Sequence, residues 1–348
     1  MLHSSFGRFL IPLVLALFFI RTSSAFPQEV PEFYVSAVED ARENRDALRV
    51  MRDTESGRSG AMAGAGITAI RNRIRQAFPG RHGLHQVVVQ VRELSLSERP
   101  QAAGRILGQV AVTLRFLLQK EHELIPLTTI SRQAVYSRGL TGNSVPLSAL
   151  NQVLDNGMKD FQTWMGRESA TNVRLARAVQ FRFRNHSEQH EDTVYYAPDR
   201  PLTWADFRDS PKSNRFAAEV FAGFGFDQEL AVKNGVIEVT ITTRVFVPKS
   251  ASWVRPDNRN AFALNHEQRH FDLAKIQSER FKTRILAASL TPDNYEEFMG
   301  PLYLETLHQL TRLQEQYDGE TRHGTDPVRQ EEWNRKIDQE LLGFGLKN

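Results

Sequence analysis

The chain has 348 residues, 41% hydrophobic and 24% charged, an ordinary composition for a globular protein of one large domain or two smaller ones. Its basic isoelectric point, near 9.1, is misleading: residues 1–25 hold Arg8 and Arg21 and no acid, so without them 44 bases become 42 against 41 acids. A near-neutral chain has no electrostatic basis for binding nucleic acid or an anionic membrane, and with no cysteine there are no disulfides, no thiol lipidation and no thiolate metal ligands.

The first element is the apolar run "FLIPLVLALFFI", Phe9 to Ile20, preceded by Arg8 and followed by "RTSSAFPQ". It is too short to span a bilayer, which takes roughly 20 residues. With Ser23 and Ala25 as small residues before a cut at Phe26, residues 1–25 read as a cleaved signal peptide. The expected location is therefore the bacterial periplasm or the exterior, with no membrane span left after cleavage.

Residues 26–170 form the first expected domain, an α/β block. "EFYVSAVEDARENRDALRVMRD" reads as a polar helix and "TESGRSGAMAGAGITA" as a linker entering a short basic helix. The linker's glycines lack the Gly-Lys-Ser/Thr ending of a phosphate loop. "HQVVVQVRELSL", "GRILGQVAVTLRFLLQ" and "LTTISRQAVYS" are strands by their β-branched and apolar content. "PLSALNQVLDNGMKDFQTWM" carries apolar residues at helical spacing. No chemistry is legible in this block, whose expected role is packing or binding.

Residues 171–348 form the second expected domain. "VRLARAVQFRFRN", "DTVYYAP", "RFAAEVFAGFGFDQEL" and "GVIEVTITTRVFVP" are strand-like, the last two joined through an Asn-Gly turn. From about Asn260 the pattern is helical: Asn260 to Ala288, Pro292 to Tyr317, then Asp326 to Leu342, with Thr325 or Asp326 capping and Pro327 at the first helical position. Strands first and helices afterwards predict an α+β fold.

Within the first of these helices stands "NHEQRHFDLAK", residues 265–275. Each helical residue advances about 100°, so His266 and His270 lie about 40° apart and can reach one ion from one side. Glu267 sits beside them, placed to serve a metal-bound water as general base. A catalytic zinc needs a third protein ligand. Leu273 and Ile276 occupy the last two named positions of the compact HExxHxxGxxH arrangement, so the ligand must come from elsewhere. Glu305 and His308 read as an exposed helix face and Asp326 as a cap. His323, in the polar turn "YDGETRHGTDP", is the expected third ligand, with Asp318 orienting a ligand imidazole and Tyr317 polarising a substrate carbonyl.

Five stretches, "LTWADF", "VFVPKSASWV", "NHEQRHFDLAKI", "YDGETRHG" and "QEEWNRKIDQEL", occur in this order over about residues 195–345. In sequence and spacing this part of the chain resembles the bacterial family of predicted secreted zinc-dependent proteases, long kept as a domain of unknown function. The resemblance implies a zincin-like metallopeptidase domain, zinc on His266 and His270, Glu267 as base, and a peptide or protein substrate. Arg269 departs from the small or apolar residue expected there. It reads either as solvent-facing or as a cation at the cleft edge that favours acidic substrates. The alternative to a peptidase is a non-enzymatic envelope protein stiffened by zinc; a metalloenzyme acting on another amide is a third reading. Neither the substrate nor the oligomeric state is legible in the sequence.

Overall fold

The computed structural model describes residues 32–347, apart from 44–50, 53–58, 61–66, 81–82, 122, 141–143, 187, 189 and 214–215. The expected signal segment, its cleavage before Phe26 and most of the glycine-rich linker lie outside the described residues. The architecture is mixed α+β, with a sheet in the N-terminal part and long helices at the C-terminal end.

In the N-terminal part, β4 (His85–Gln101), β5 (Arg105–Lys120) and β6 (Glu123–Gly139) form an antiparallel meander. β1 (Phe33–Asp40) adds to it in parallel, giving the order β1-β4-β5-β6. Alternate residues such as Val87, Val89, Val112 and Leu114 are buried in one core with Ile70 and Ile74 of α1 (Ile67–Ala77) and Leu150, Val153 and Phe161 of α2 (Val145–Glu168). The Phe161 ring stacks on Phe116 with centroids 3.8 Å apart.

The polar helix expected after residue 31 is not formed among the described residues of that stretch. Its first part is β1, and β2 (Met51–Arg52) pairs with β3 (Ser59–Gly60). Phe33, Val35 and Val38 are the buried residues of the strand, and a register shift between Val35 and Ala37 breaks the two-residue alternation. That bulge gives Val35 and Val38 a helix-like spacing, while pairing with β4 some fifty residues away decides the conformation.

In the second part, β10 (Gly223–Lys233) and β11 (Val236–Pro248) make a hairpin through Asn234 and Gly235, both at positive φ, as a type I′ turn requires. β7 (Ala178–Asn185) runs parallel to β11, and β8 (Thr193–Tyr195) pairs with its end. β9 (Ala218–Glu219) and β12 (Trp253–Val254) form a separate short ladder. Three helices follow: α3 (Ala261–Ala287), α4 (Tyr295–Thr321) and α5 (Pro327–Gly343). Asn260 caps α3 through the Ala263 N–H and Asp326 caps α5 through the Arg329 N–H.

α3 is enclosed on more than one side, and this positions the site. Phe271, Ala274, Phe281 and Ile285 join Val239, Ile241 and Val245 of the sheet in one cluster. Leu273 and Ile276 join Tyr317 of α4 and Trp333 and Ile337 of α5 in another. Among the described residues no helix is long and apolar enough to cross a membrane.

Candidate metal centre

His266 and His270 project from the middle of α3 and are buried at 5% and 8% exposure. The third group that meets them is Asp318 of α4. Its Oδ1 lies 3.1 Å from His266 Nε2 and 3.0 Å from His270 Nε2. The donor atoms of the three residues all fall within 4.8 Å of one another. Ligands about 2.0–2.1 Å from a tetrahedral zinc stand about 3.3 Å apart, so slight spreading of this group would admit the ion.

The tautomer of His266 is fixed by a polar network. Gln330 of α5 donates its Nε2 hydrogens toward the Tyr317 hydroxyl, Asn334 Oδ1 and Asn265 Oδ1. Its Oε1 is left to accept from His266 Nδ1 at 3.0 Å. With the hydrogen on Nδ1, the Nε2 lone pair of His266 faces a carboxylate oxygen. Two lone pairs at that distance need a cation between them, either a metal ion or a proton. Burial opposes charge on His266, but Asp318 and Glu267 more than offset it and push its proton affinity up. Burial likewise opposes the charge on Asp318, and the two imidazoles hold its carboxyl well below the ordinary range. The donor set fits a divalent ion with N/O preference, zinc among them.

Glu267 is 4% exposed, and burial pushes its carboxyl up against the opposing influence of His270 and His266. The Val220 backbone N–H adds to that opposition. Its direction follows from the β9–β12 ladder. The Arg255 N–H donates to the Ala217 carbonyl at 2.9 Å, with Ala218 opposite Val254 and Glu219 opposite Trp253. Because bonding alternates along an antiparallel pair, Ala218 and Val220 turn their peptide groups away from β12, toward the cleft.

The cleft has a volume of about 620 Å³. Residues 216–223 line one side, α4 from Leu307 to Asp318 lines the other, and Phe262, His266, Glu267 and His270 of α3 lie between.

Three expected roles change. His323 stands outside the three-residue group: its Nδ1 is 3.8 Å from Asp318 Oδ2, its side chain is 45% exposed, and its ring leans on Phe216 at the rim. α4 continues past Tyr317 to Thr321, which puts Asp318 on a rigid helix facing α3 and leaves His323 in the turn beyond. Asp318 is therefore the third member of the group that could hold a metal, where the sequence suggests only an orienting acceptor. Tyr317 cannot polarise a substrate, because it is fully buried and stacked under the His266 ring at 4.7 Å. Arg269 neither faces solvent nor edges the cleft. It is buried and bound to Asp272 at 3.0 Å, Asp338 at 2.6 Å and Asn334 at 2.9 Å, tying α3 to α5. Glu305 and His308 lie on an exposed face, Glu305 paired with Arg284.

Sequence reasoning missed Gln330, although it opens the "QEEW" stretch, and it missed the Val220 amide, for which no side-chain signal exists. It also missed how closely the α4–α5 turn presses on the metal group. Gly324 has φ +69°, and a Cβ there would lie 2.8 Å from His266 Cγ. Gly324→Ala is expected to cost roughly 1–3 kcal/mol from the strained backbone and to weaken zinc binding by displacing the imidazole. Thermal denaturation and zinc titration of the purified variant check both effects; unchanged values in both would show that the turn yields freely.

No family model matches the chain, and no curated protein matches it. Among solved structures, a minor lipoprotein from Acinetobacter baumannii aligns at 13% identity over 39% of this chain and 91% of that one. The TM-score is 0.19, too low to carry any argument about fold or function.

Proposed function

We propose that the protein is an exported zinc metallopeptidase. The observation that supports this best is the convergence of His266, His270 and Asp318 on one point, beside a buried Glu267, inside an open cleft. Bound there, zinc would supply Lewis acidity, polarising a carbonyl and making water a stronger acid. The chain's own groups do the rest. Glu267, oriented by the Val220 N–H and made more basic by burial, takes the proton of the attacking water and can return it to the leaving amine. The peptide groups of Ala218 and Val220 turn toward the cleft, and that of Ala218 is placed to pair with an extended peptide backbone. A peptide is thus a better match than a compact small molecule. Export rests on the apolar run of residues 9–20 and the small residues before Phe26.

Glu267→Gln keeps the shape and removes the proton acceptor. Zinc content should remain near that of the parent while hydrolysis of a fluorogenic peptide library falls by roughly 100-fold or more. Equal activity in the variant would overturn the mechanism. A zinc-loaded parent that cleaves no peptide in the library would favour the non-enzymatic reading, in which the ion only joins the helices.

A further inference from the structure

We infer that the cleft selects peptides presenting a lysine or arginine side chain, with Glu315 and Glu219 as the selecting carboxylates. This rests on the peptidase reading for its consequence but not for its test. Among the described residues the cleft is lined by four carboxylates, those of Glu219, Glu267, Glu315 and Asp318, and by no lysine or arginine. A divalent ion would offset two negative charges, and Glu267 and Asp318 are the two beside it. Glu219 and Glu315 are left, on the strand side and the α4 side respectively.

Among the described residues neither of the two is neutralised by a neighbour. Glu315 has no described hydrogen bond or ion pair, and it is exposed one turn before Asp318 on the same helix. Glu219 accepts from Trp253 Nε1 at 3.0 Å, a neutral donor that fixes the carboxylate without cancelling its charge. Lys212, which lies near enough to feel Glu219, is itself paired with Asp209 at 2.6 Å. Arg312 on α4 exerts its charge on Glu305, outside the cleft lining. Arg269, which the sequence left either facing solvent or at the cleft edge, is buried and outside the cleft lining.

The apolar part of the lining points to the same occupant. Phe221 and Phe262 line the cleft while 60% and 41% exposed. A lysine or arginine brings a hydrocarbon stem to cover such rings and a cation for their faces, with its head free to reach a carboxylate. A glutamate meets only like charge, and a short neutral residue covers neither ring.

Three blocked fluorescein-labelled octapeptides test this, identical except for Lys-Lys, Gln-Gln or Glu-Glu at the centre. Anisotropy titrations are run on EDTA-treated protein, so that no cleavage intervenes, and repeated with zinc restored. At low ionic strength the Lys peptide is expected to bind about tenfold more tightly than the Glu peptide, with the Gln peptide between them, and the gap should shrink at ~0.5 M salt. Glu315→Gln, a change at an exposed position, should narrow the gap several-fold, and Glu315→Lys should close or invert it. Equal binding of the three peptides, tighter binding of the Glu peptide, or a gap untouched in both Glu315 variants would overturn the inference. Lys preference without cleavage in the zinc form would sustain the inference and sink the peptidase reading. Cleavage without Lys preference would do the reverse.

Discussion

Asp318→Ala is expected to lower zinc affinity more than about 100-fold, beyond the 10- to 100-fold typical of losing a group that merely supports a ligand, whereas His323→Ala changes it little. Among the described residues the Asp318 carboxylate is the sole third group whose oxygen reaches both imidazoles, at 3.1 and 3.0 Å. His323 is separated from that oxygen pair by 3.8 Å, is largely exposed and sits in a left-handed turn. Asp318→Asn, which keeps the shape and removes the charge, should fall between parent and alanine variant. Zinc per chain by elemental analysis, together with competition against a chromophoric chelator, reads all three. Retention of zinc in Asp318→Ala with loss in His323→Ala would move the third ligand back to the turn.

The second large effect lies far from the metal. In the N-terminal sheet, Arg138 holds Glu98 through two hydrogen bonds of 2.7 and 2.6 Å, and the Tyr136 hydroxyl donates to the same carboxylate at 2.7 Å. Both charged side chains are 3% exposed. Tyr136 reaches Glu98 by lying across Gly108, where a Cβ would meet the ring at 2.1 Å. Arg138→Met leaves a buried carboxylate without its cation, which typically costs about 3–5 kcal/mol. Replacing Glu98 by Gln in the same chain should recover most of that loss.

The pH dependence has a definite sign. Burial opposes ionisation of Glu98, yet Arg138 and Tyr136 more than offset it and hold its carboxyl below the ordinary value. The pair's contribution is therefore present above the unfolded pKa, about 4.3, and is lost as pH falls through the lower folded value. In Arg138→Met the uncompensated carboxyl gains its proton early, so parent and variant should converge on acidification. Hydrogen exchange of the β4, β5 and β6 amides at pH 7 and near pH 4 isolates this sheet from the helices. A constant difference between the two pH values would contradict the account.

The contrast between these two sites shows what was legible. His266, Glu267 and His270 announce themselves because helical spacing alone puts them on adjoining faces. The strands β4, β5 and β11 are equally plain, being long and rich in β-branched and apolar residues. Asp318 was visible as a residue but not as a ligand, since its role depends on where α4 ends, and helix ends are weakly encoded. Tyr317 and Arg269 were misplaced for a related reason. Polar side chains usually face water, yet α3 also buries Asp272, Lys275, Gln277 and Lys282. Lys275 and Lys282 both reach Glu279 and the Asn185 oxygen, and Arg269 reaches two aspartates. Hydropathy cannot reveal such networks, because Glu279 and Asp272 share α3 but Asn185 comes from β7 and Asp338 from α5. β1 failed on the same ground, since its conformation is decided by β4.

The metal group draws His266 and His270 from α3 and Asp318 from α4, and Gln330 of α5 closes it from behind. An ion held there would rivet α3 to α4, with α5 tied in through Gln330, and its binding energy would become part of their folding energy. A thousandfold excess of free zinc over its dissociation constant would add about 4 kcal/mol to the folded state. Withdrawing zinc removes that increment, so the chain's resistance to proteases, and hence its abundance, would follow the zinc supply of its compartment. The same three side chains that would prepare the site for chemistry would thereby make metal scarcity a signal for the molecule's own removal.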